Sequence, residues 1–264
     1  MTTKLAVQMY TVRDFTRTAG EFIESLRKIR AIGYQAVQLS AVGAMSGETP
    51  EVSAEQARRL LDDNGLRCIA THRNWDDLTQ RPEAEIAFHK ALGCDFTAIG
   101  GLPGNYGEQG AAGYAQFVLD AAPVIARLKA AGLRFGYHNH AHEFQRIEPG
   151  RKTFYDLFIE EGGPDFLLEI DVYWAVHAGV NPERLFARCD GRVPVIHLKD
   201  KEVVAKEGPV MAAIGEGNLD WEAILPACER AGVEWYAIEQ DVCRRDPVDC
   251  LKASYEFLQT QGFA

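Results

Sequence analysis

Short apolar runs recur along the chain, and most of them begin just after a glycine. Seven of these runs read YQAVQL, LRCIAT, CDFTAIG, LRFGYH, PDFLLEID, RVPVIHL and VEWYAIEQ, and an eighth, KLAVQM, stands near the start. Each run has the length and the β-branched or aromatic content that are typical of a buried strand. The pattern therefore predicts eight β-strands.

The segments between these runs show the periodicity of amphipathic helices. Residues 19–32 place Phe22, Leu26 and Ile29 on one stripe, and the segment SAEQARRLLDDNG begins at a serine suited to N-capping. Two further segments, YAQFVLDAAPVIARLKAAG and LDWEAILPACERAG, end at the glycine that precedes the next strand. Glycine tolerates the positive φ that often ends a helix, so these segments are predicted to be helices.

Strands and helices alternate along the whole chain, in units of roughly 30–40 residues. This alternation favours parallel strands joined by right-handed crossovers. Eight such units are expected to close into a (β/α)8 TIM barrel, and we predict one domain over residues 1–264. An open, doubly wound sheet is the alternative, but no glycine follows the first strand to form a dinucleotide-binding turn.

Composition and charge narrow the class of protein. The chain is 47% hydrophobic and 25% charged, as in ordinary globular proteins, and its opening residues lack a secretory signal, so we expect a cytoplasmic protein. The net charge of −10 disfavours nucleic acid, and no apolar stretch is long enough to predict a membrane span. A small-molecule partner is therefore favoured, and a homo-oligomer stays an open alternative.

Four of the predicted strands end in a residue that is costly to bury. His138 ends FGYH, Asp171 ends FLLEID, His197 ends VPVIH and Glu239 ends WYAIE. Such groups need a partner or a metal, and barrel enzymes carry their catalytic groups at these strand ends. Two imidazoles and two carboxylates at one rim suit a borderline divalent ion, although ordinary hydrogen bonds or ion pairs are the alternative for each residue.

Six segments carry a resemblance to a known family. VQMYTVRD, GYHNHAHEF, EIDVYWAVHAG, IHLKDK, IGEGNLDW and AIEQD resemble the sugar phosphate isomerase/epimerase family of xylose-isomerase-like barrels, which includes inosose dehydratases and isomerases, ketose 3-epimerases and endonuclease IV. The resemblance extends from Leu5 to about Phe257. It implies one divalent metal ion held by Glu, Asp, His and Glu. The last three match Asp171, His197 and Glu239, while His138 stands where the family commonly has its first glutamate.

The resemblance also implies a reaction. We predict a metal-dependent isomerase or epimerase that removes a proton α to the carbonyl of a keto-sugar or cyclitol, through an enediolate stabilised by the metal. The metal is expected to be Mn2+, Co2+ or Zn2+, with Mg2+ or Fe2+ as alternatives. A dehydratase or lyase acting on an inosose or 3-keto-glycoside is the alternative outcome. An endonuclease IV-like hydrolase and a non-catalytic sugar-binding barrel are alternatives of other classes.

The predicted catalytic residues are Glu239 as base, His138 and Lys199, which is expected to polarise a substrate oxygen. The alternative for Lys199 is an ion pair with Asp171 or Glu239. Because His138 replaces a glutamate, the symmetric two-glutamate mechanism of related epimerases is in doubt. A second proton carrier would then be one of His140, Glu143, His72 or Lys199.

The remaining predictions concern substrate contacts and two other histidines. The residues expected to contact substrate are Gln38, His72, His140, Glu143 and Trp174, the last as an apolar wall. His142 is expected to lie in solvent, and His89 is expected at the surface of a helix.

Overall fold

The computed structural model describes residues 4–148, 150–189 and 191–263, so residues 1–3, 149, 190 and 264 of the predicted domain lie outside the described residues. Within the described residues, eight parallel strands close into a barrel. They are β1 (Leu5–Gln8), β2 (Ala36–Leu39), β3 (Arg67–His72), β4 (Phe96–Ile99), β5 (Arg134–His138), β6 (Phe166–Asp171), β7 (Val195–Leu198) and β10 (Trp235–Ile238). Strands β8 (Asp200–Val204) and β9 (Gly208–Ala212) form a separate two-stranded sheet. The last strand, β10, pairs with β1 and closes the ring. The predicted (β/α)8 barrel is confirmed, and the open-sheet alternative is wrong.

Helices surround the barrel. They are α1 (Ala19–Ile32), α2 (Ala54–Asp63), α3 (Trp75–Gln80), α4 (Pro82–Leu92), α5 (Gly104–Gly107), α6 (Ala111–Ala130), α7 (Phe154–Glu161), α8 (Val172–His177), α9 (Pro182–Phe186), α10 (Trp221–Arg230) and α11 (Pro247–Thr260). Short 3-10 turns cover Met9–Phe15, Gly43–Met45 and His142–Phe144. None of the helices that the structure describes has both the length and the apolar character to cross a membrane.

Local sequence features set the ends of several helices. Thr18 and Ser53 each begin a helix with a capping box, in which the hydroxyl accepts from a backbone N–H one turn on. At the other end of α4, Gly93 adopts a left-handed conformation with a φ of 73°. A Cβ at Gly93 would also meet the guanidinium group of Arg58, but that side chain is flexible, so the positive φ is the reason that glycine is favoured at this helix end.

An antiparallel hairpin, β8 (Asp200–Val204) with β9 (Gly208–Ala212), extends from the rim after β7. Asp200 ties the hairpin to the following loop, because its buried carboxylate accepts from the backbone N–H groups of Gly215 and Gly217 and from the indole N–H of Trp221. A Cβ at Gly217 would lie 2.3 Å from Asp200 Oδ1. These contacts join the aspartate of HLKD to the segment IGEGNLDW. The hairpin itself was not predicted from the sequence.

The expectation that His89 lies at the surface is wrong. His89 lies on α4, but its side chain is fully buried rather than at the surface. Its Nε2 lies 2.7 Å from the Thr71 hydroxyl and its Nδ1 lies 2.7 Å from the Glu85 carbonyl oxygen. Both ring nitrogens therefore have partners, and the histidine belongs to the packing between α4 and β3.

Candidate metal and substrate site

The carboxyl-terminal ends of the barrel strands bring the predicted residues together. Asp171 of β6 pairs in register with His197 of β7, and His138 of β5 pairs with Glu169 of β6. Glu239 follows the end of β10 and lies beside the same centre. All five side chains are at least 95% buried. A cluster of ionisable groups thus fills the rim end of the barrel, where polar groups must compensate one another.

Lys199 lies between the carboxylates of this cluster. Its Nζ is 2.9 Å from Asp171 Oδ2, 2.9 Å from Glu239 Oε2 and 2.7 Å from Asp241 Oδ1. Burial alone would lower the pKa of Lys199, but the three carboxylates outweigh it and hold that pKa above its usual range. The lysine is therefore a buried cation, paired with both carboxylates that the sequence suggested as its alternative partners.

The two paired carboxylates differ in their acidity. Burial raises the pKa of Asp171 to about 6, although Lys199 partly offsets the effect. Burial would also raise the pKa of Glu239, but Lys199 and His197 outweigh it and hold the pKa well below its usual range. At neutral pH both groups are anionic, and Glu239 is the more strongly stabilised anion.

Glu169 is a member of the cluster that the sequence analysis did not single out. It is fully buried, and its Oε2 lies 2.5 Å from His72 Nε2, 3.3 Å from His197 Nε2 and 3.4 Å from His138 Nδ1. Its Oε1 accepts from Gln38 Nε2 at 2.8 Å. The carboxylate therefore hydrogen-bonds the imidazole of His72 and lies within 3.4 Å of the imidazoles of His138 and His197. It stands two residues before Asp171, on the same face of β6, and an acidic residue inside the apolar run FLLEID was the available indication.

Gln38 determines how His197 is presented. The Gln38 carbonyl oxygen, Oε1, lies 2.8 Å from His197 Nε2, and an amide oxygen only accepts, so Nε2 carries a hydrogen. His197 Nδ1 then faces Glu239 Oε2 at 2.7 Å. Burial alone would lower the pKa of His197, but Glu169 and Glu239 raise it to about 10. Outer hydrogen bonds that direct one ring nitrogen inward are typical of metal-binding histidines.

One atom of each predicted metal ligand is buried without a hydrogen bond. These atoms are His138 Nδ1, Asp171 Oδ2, His197 Nδ1 and Glu239 Oε2. The 2.9 Å contacts of Lys199 with the two carboxylate atoms are ion pairs by distance, but their angles lie outside hydrogen-bond geometry. The atoms of Asp171, His197 and Glu239 lie close together, and a bound cation would satisfy unsatisfied, buried atoms of this kind. His138 Nδ1 instead lies 3.4 Å from Glu169 Oε2.

The donor atoms form two adjoining groups. Asp171, His197 and Glu239 offer atoms that all lie within 4.8 Å of one another, and His72, His138, Glu169 and His197 form a second such group. His138 belongs to the second group but lies beside the first, since its Nε2 is 3.9 Å from Asp171 Oδ2. Imidazole nitrogens with carboxylate oxygens suit a borderline divalent ion. The residues therefore fit the metal that the family implies.

The remaining predicted contacts lie around this cluster. The His140 ring centroid is 5.0 Å from that of His138 and 5.6 Å from that of Trp174, whose backbone N–H donates to Asp171. Two glycines follow strand β4, and a Cβ at Gly100 would lie 3.4 Å from His72 Nδ1. This ring edge is therefore left open beside His72, which is 15% exposed and borders a cavity of about 220 Å³.

Glu143 and Gln38 are more enclosed than a substrate contact requires. Glu143 is fully buried and accepts from the Tyr137 hydroxyl and from the backbone N–H of His140, each at 2.8 Å. Gln38 is also fully buried, with its amide shared between Glu169 and His197. Contacts of Glu143 and Gln38 with a substrate stay predictions. The hydrogen bonds that the two side chains make in this structure hold neighbouring protein groups in place.

Comparisons with known proteins agree with this architecture. A family model described as xylose isomerase-like TIM barrel matches residues 26–261. A sugar phosphate isomerase/epimerase from Parabacteroides distasonis has a similar structure, with a TM-score of 0.81 and 20% identity over 100% of this chain and 96% of that one. No curated protein gives a significant match.

Two further solved structures share the fold at lower identity. An L-ribulose 3-epimerase has a TM-score of 0.69 and 14% identity, covering 98% of this chain and 94% of that one. A probable 3-DHS dehydratase involved in petrobactin synthesis, from Bacillus anthracis, has a TM-score of 0.70 and 14% identity, covering 97% of this chain and 98% of that one. The family match spans most of the chain and confirms the resemblance drawn from its motifs. The chain belongs to the xylose isomerase-like TIM barrel family.

Proposed function

We propose that the protein is a divalent-metal-dependent isomerase or epimerase that acts on a keto-sugar or cyclitol by α-proton abstraction through an enediolate. The observation that carries this proposal is the set of buried, unsatisfied atoms on Asp171, His197 and Glu239, three residues whose donor atoms lie within 4.8 Å of one another at the rim of the barrel, with His138 beside them. The epimerase and dehydratase among the similar structures agree with this class of chemistry.

Those four residues would hold the ion, with Mn2+, Co2+ or Zn2+ expected first and Mg2+ or Fe2+ as alternatives. When bound, a divalent ion supplies positive charge that polarises a substrate carbonyl and stabilises the enediolate. Replacement of the family's first glutamate by His138 removes one negative charge from the ligand set. Asp171 and Glu239 then balance a divalent ion formally, which makes it a stronger electrophile.

Glu239 would accept the α-proton, and Lys199 would control when it does so. While Lys199 remains within 2.9 Å of Glu239, the pKa of Glu239 stays low and the carboxylate is a weak base. If the ammonium group turns toward the oxygen that becomes negative in the enediolate, Glu239 loses this partner and becomes more basic. The same movement of Lys199 would thus stabilise the product charge and activate the base.

His72 would be the second proton carrier. Glu169 holds its Nε2 at 2.5 Å, while Nδ1 points toward the glycines after β4. Strand β3, which carries His72, lies three places around the barrel from β10, the strand that precedes Glu239. The two groups would therefore approach a substrate from different sides, as epimerisation requires. Trp174 and His140 would contact the substrate between them, and Glu143 and Gln38 would support these contacts.

Metal dialysis tests the ion site. Metal-stripped chain reloaded with Mn2+ or Co2+ is expected to retain an ion in the barrel, and a His197→Ala/Glu239→Ala variant is expected to retain one ion fewer than the wild type. Equal retention by the variant would contradict the proposed ligand set. The loaded chain is then incubated in D2O with keto-sugars and inososes. Deuterium at the α-carbon of an intact sugar supports isomerase or epimerase chemistry, and loss of a β-substituent would assign the dehydratase or lyase outcome instead.

A further inference from the structure

The histidine-rich turn after β5 contains a second cluster of metal-ligating atoms, outside the ligand set proposed above. His140, His142 and Glu143 offer donor atoms that all lie within 4.8 Å of one another, and we refer to them as the rim triad. The side chain of His142 is 59% exposed, whereas Glu143 is fully buried. The rim triad therefore faces solvent on one side and is fixed in the protein on the other.

The buried carboxylate of Glu143 lacks a permanent positive partner. Its hydrogen-bond donors are the Tyr137 hydroxyl and the backbone N–H of His140, which are both neutral. Among the described residues, the one basic side chain within 4.0 Å of the carboxylate is His142, which is charged only when protonated. A buried carboxylate with neutral donors is costly, and a cation beside it would remove much of that cost.

One distance in the rim triad already matches the spacing of two ligands on a metal ion. Two donors bound tetrahedrally to Zn2+, each at about 2.0–2.1 Å, lie roughly 3.3 Å apart. His142 Nε2 lies 3.2 Å from Glu143 Oε1, close to that value and longer than a strong charge-assisted hydrogen bond. The His140 and His142 rings are nearly parallel, at 14°, with centroids 5.8 Å apart. His140 Nδ1 is also buried without a hydrogen-bond partner.

We propose that His140, His142 and Glu143 form a second, solvent-accessible site for a borderline divalent cation such as Zn2+, Co2+ or Ni2+. Two imidazoles with one carboxylate leave a coordination position for water or for an oxygen of a small molecule. The site would lie next to the inner cluster, since the ring centroids of His138 and His140 are 5.0 Å apart. It does not depend on the proposed reaction.

Equilibrium dialysis against Zn2+, followed by elemental analysis, tests this proposal on the full chain. The wild type is expected to bind two ions and His142→Ala one. His177→Ala is the matched control, because His177 is also an exposed histidine on the loop side of the barrel, and it should still bind two. His142 is exposed, so its removal should leave the fold intact, which an unchanged unfolding transition would verify.

An Asp171→Asn/Glu239→Gln variant separates this site from the inner one. If the rim triad binds an ion, this variant keeps one ion, and that ion disappears when His142→Ala is added. One ion kept by the acidic-pair variant but lost with His142→Ala would support the rim site even if the wild type bound no inner ion. The proposal is overturned if His142→Ala binds as many Zn2+ ions as the wild type, or if the acidic-pair variant binds none.

Discussion

Replacement of Lys199 by methionine tests whether the buried ammonium compensates the carboxylates of the barrel. The side chain is 2% exposed and its Nζ lies within 2.9 Å of Asp171, Glu239 and Asp241. Methionine keeps most of the volume but leaves these carboxylates without their cation. Removing one partner of a buried ion pair typically costs about 3–5 kcal/mol, so Lys199→Met is expected to lower the free energy of unfolding by that amount.

Urea denaturation at neutral pH, without added metal, measures this loss. For a chain of this size, it corresponds to a decrease in melting temperature of about 6–10 °C. Lys252→Met is the matched control, because Lys252 pairs with Glu256 at the surface and is 58% exposed. Pairs of this kind contribute less than about 0.5 kcal/mol. A loss below about 1 kcal/mol in Lys199→Met would refute the interpretation of Lys199 as the compensating cation.

Stabilisation of Lys199→Met by Mn2+ tests the proposed metal site as well. Without the ammonium group, Asp171 and Glu239 should bind a divalent ion more readily, so Mn2+ should stabilise Lys199→Met more than it stabilises the wild type. At a free concentration of 100 times its Kd, the ion would restore about 2.7 kcal/mol. No additional stabilisation of the variant by Mn2+ would contradict the idea that the ammonium group and the ion compete for the carboxylates of Asp171 and Glu239.

Three further predictions concern groups that support the site and the fold. Asp200→Asn should lower the free energy of unfolding by about 2–4 kcal/mol, since it weakens several hydrogen bonds to a buried charge, and urea denaturation would detect this. Burial lowers the pKa of His89, so the unfolded chain binds the proton more strongly. The stability from His89 should be complete above about pH 6.5 and fall below it, and urea midpoints that decrease equally in His89→Gln would contradict this. Gln38→Leu should weaken Mn2+ binding about 10–100-fold in dialysis, because it removes the acceptor that orients His197, and an unchanged affinity would count against that role.

The barrel was predictable because its local features agree with one another. Each apolar run that follows a glycine became a strand, and the predicted stripe over residues 19–32 became α1 with the same bounds. Helix caps such as Ser53 and turn glycines such as Gly93 act within a few residues, so sequence neighbours alone determine them. The β8–β9 hairpin was missed because it is short, only partly buried and mixed in polarity, and its pairing depends on the distant contacts of Asp200.

The grouping of these side chains was predictable for residues at strand ends and less so for residues within strands. His138, Asp171, His197 and Glu239 each end an apolar run, and the barrel brings the ends of parallel strands to one rim. Glu169 was hidden because it precedes Asp171 within the same run. The pairing of its carboxylate with three imidazoles depends on side-chain directions from separate strands, which periodicity does not specify.

The burial of single histidines was also difficult to predict. His89 lies on a helix, where a lone histidine was expected to be exposed. In the structure, the Thr71 hydroxyl and the Glu85 carbonyl oxygen lie within hydrogen-bond distance of its two ring nitrogens. Partners of this kind come from residues that pack only in the folded chain. A polar side chain can therefore be buried wherever the tertiary structure satisfies its hydrogen bonds.

The central claim is that Glu239 removes a proton α to a substrate carbonyl. The most direct measurement is the mass-spectrometric deuterium content of keto-sugars and inososes after incubation in D2O with Mn2+-loaded protein. The account predicts one deuterium at the α-carbon of at least one compound with the wild type, and a rate lower by about 10²–10⁴-fold with Glu239→Gln. Equal incorporation by the two proteins, or none with the wild type across the panel, would contradict it.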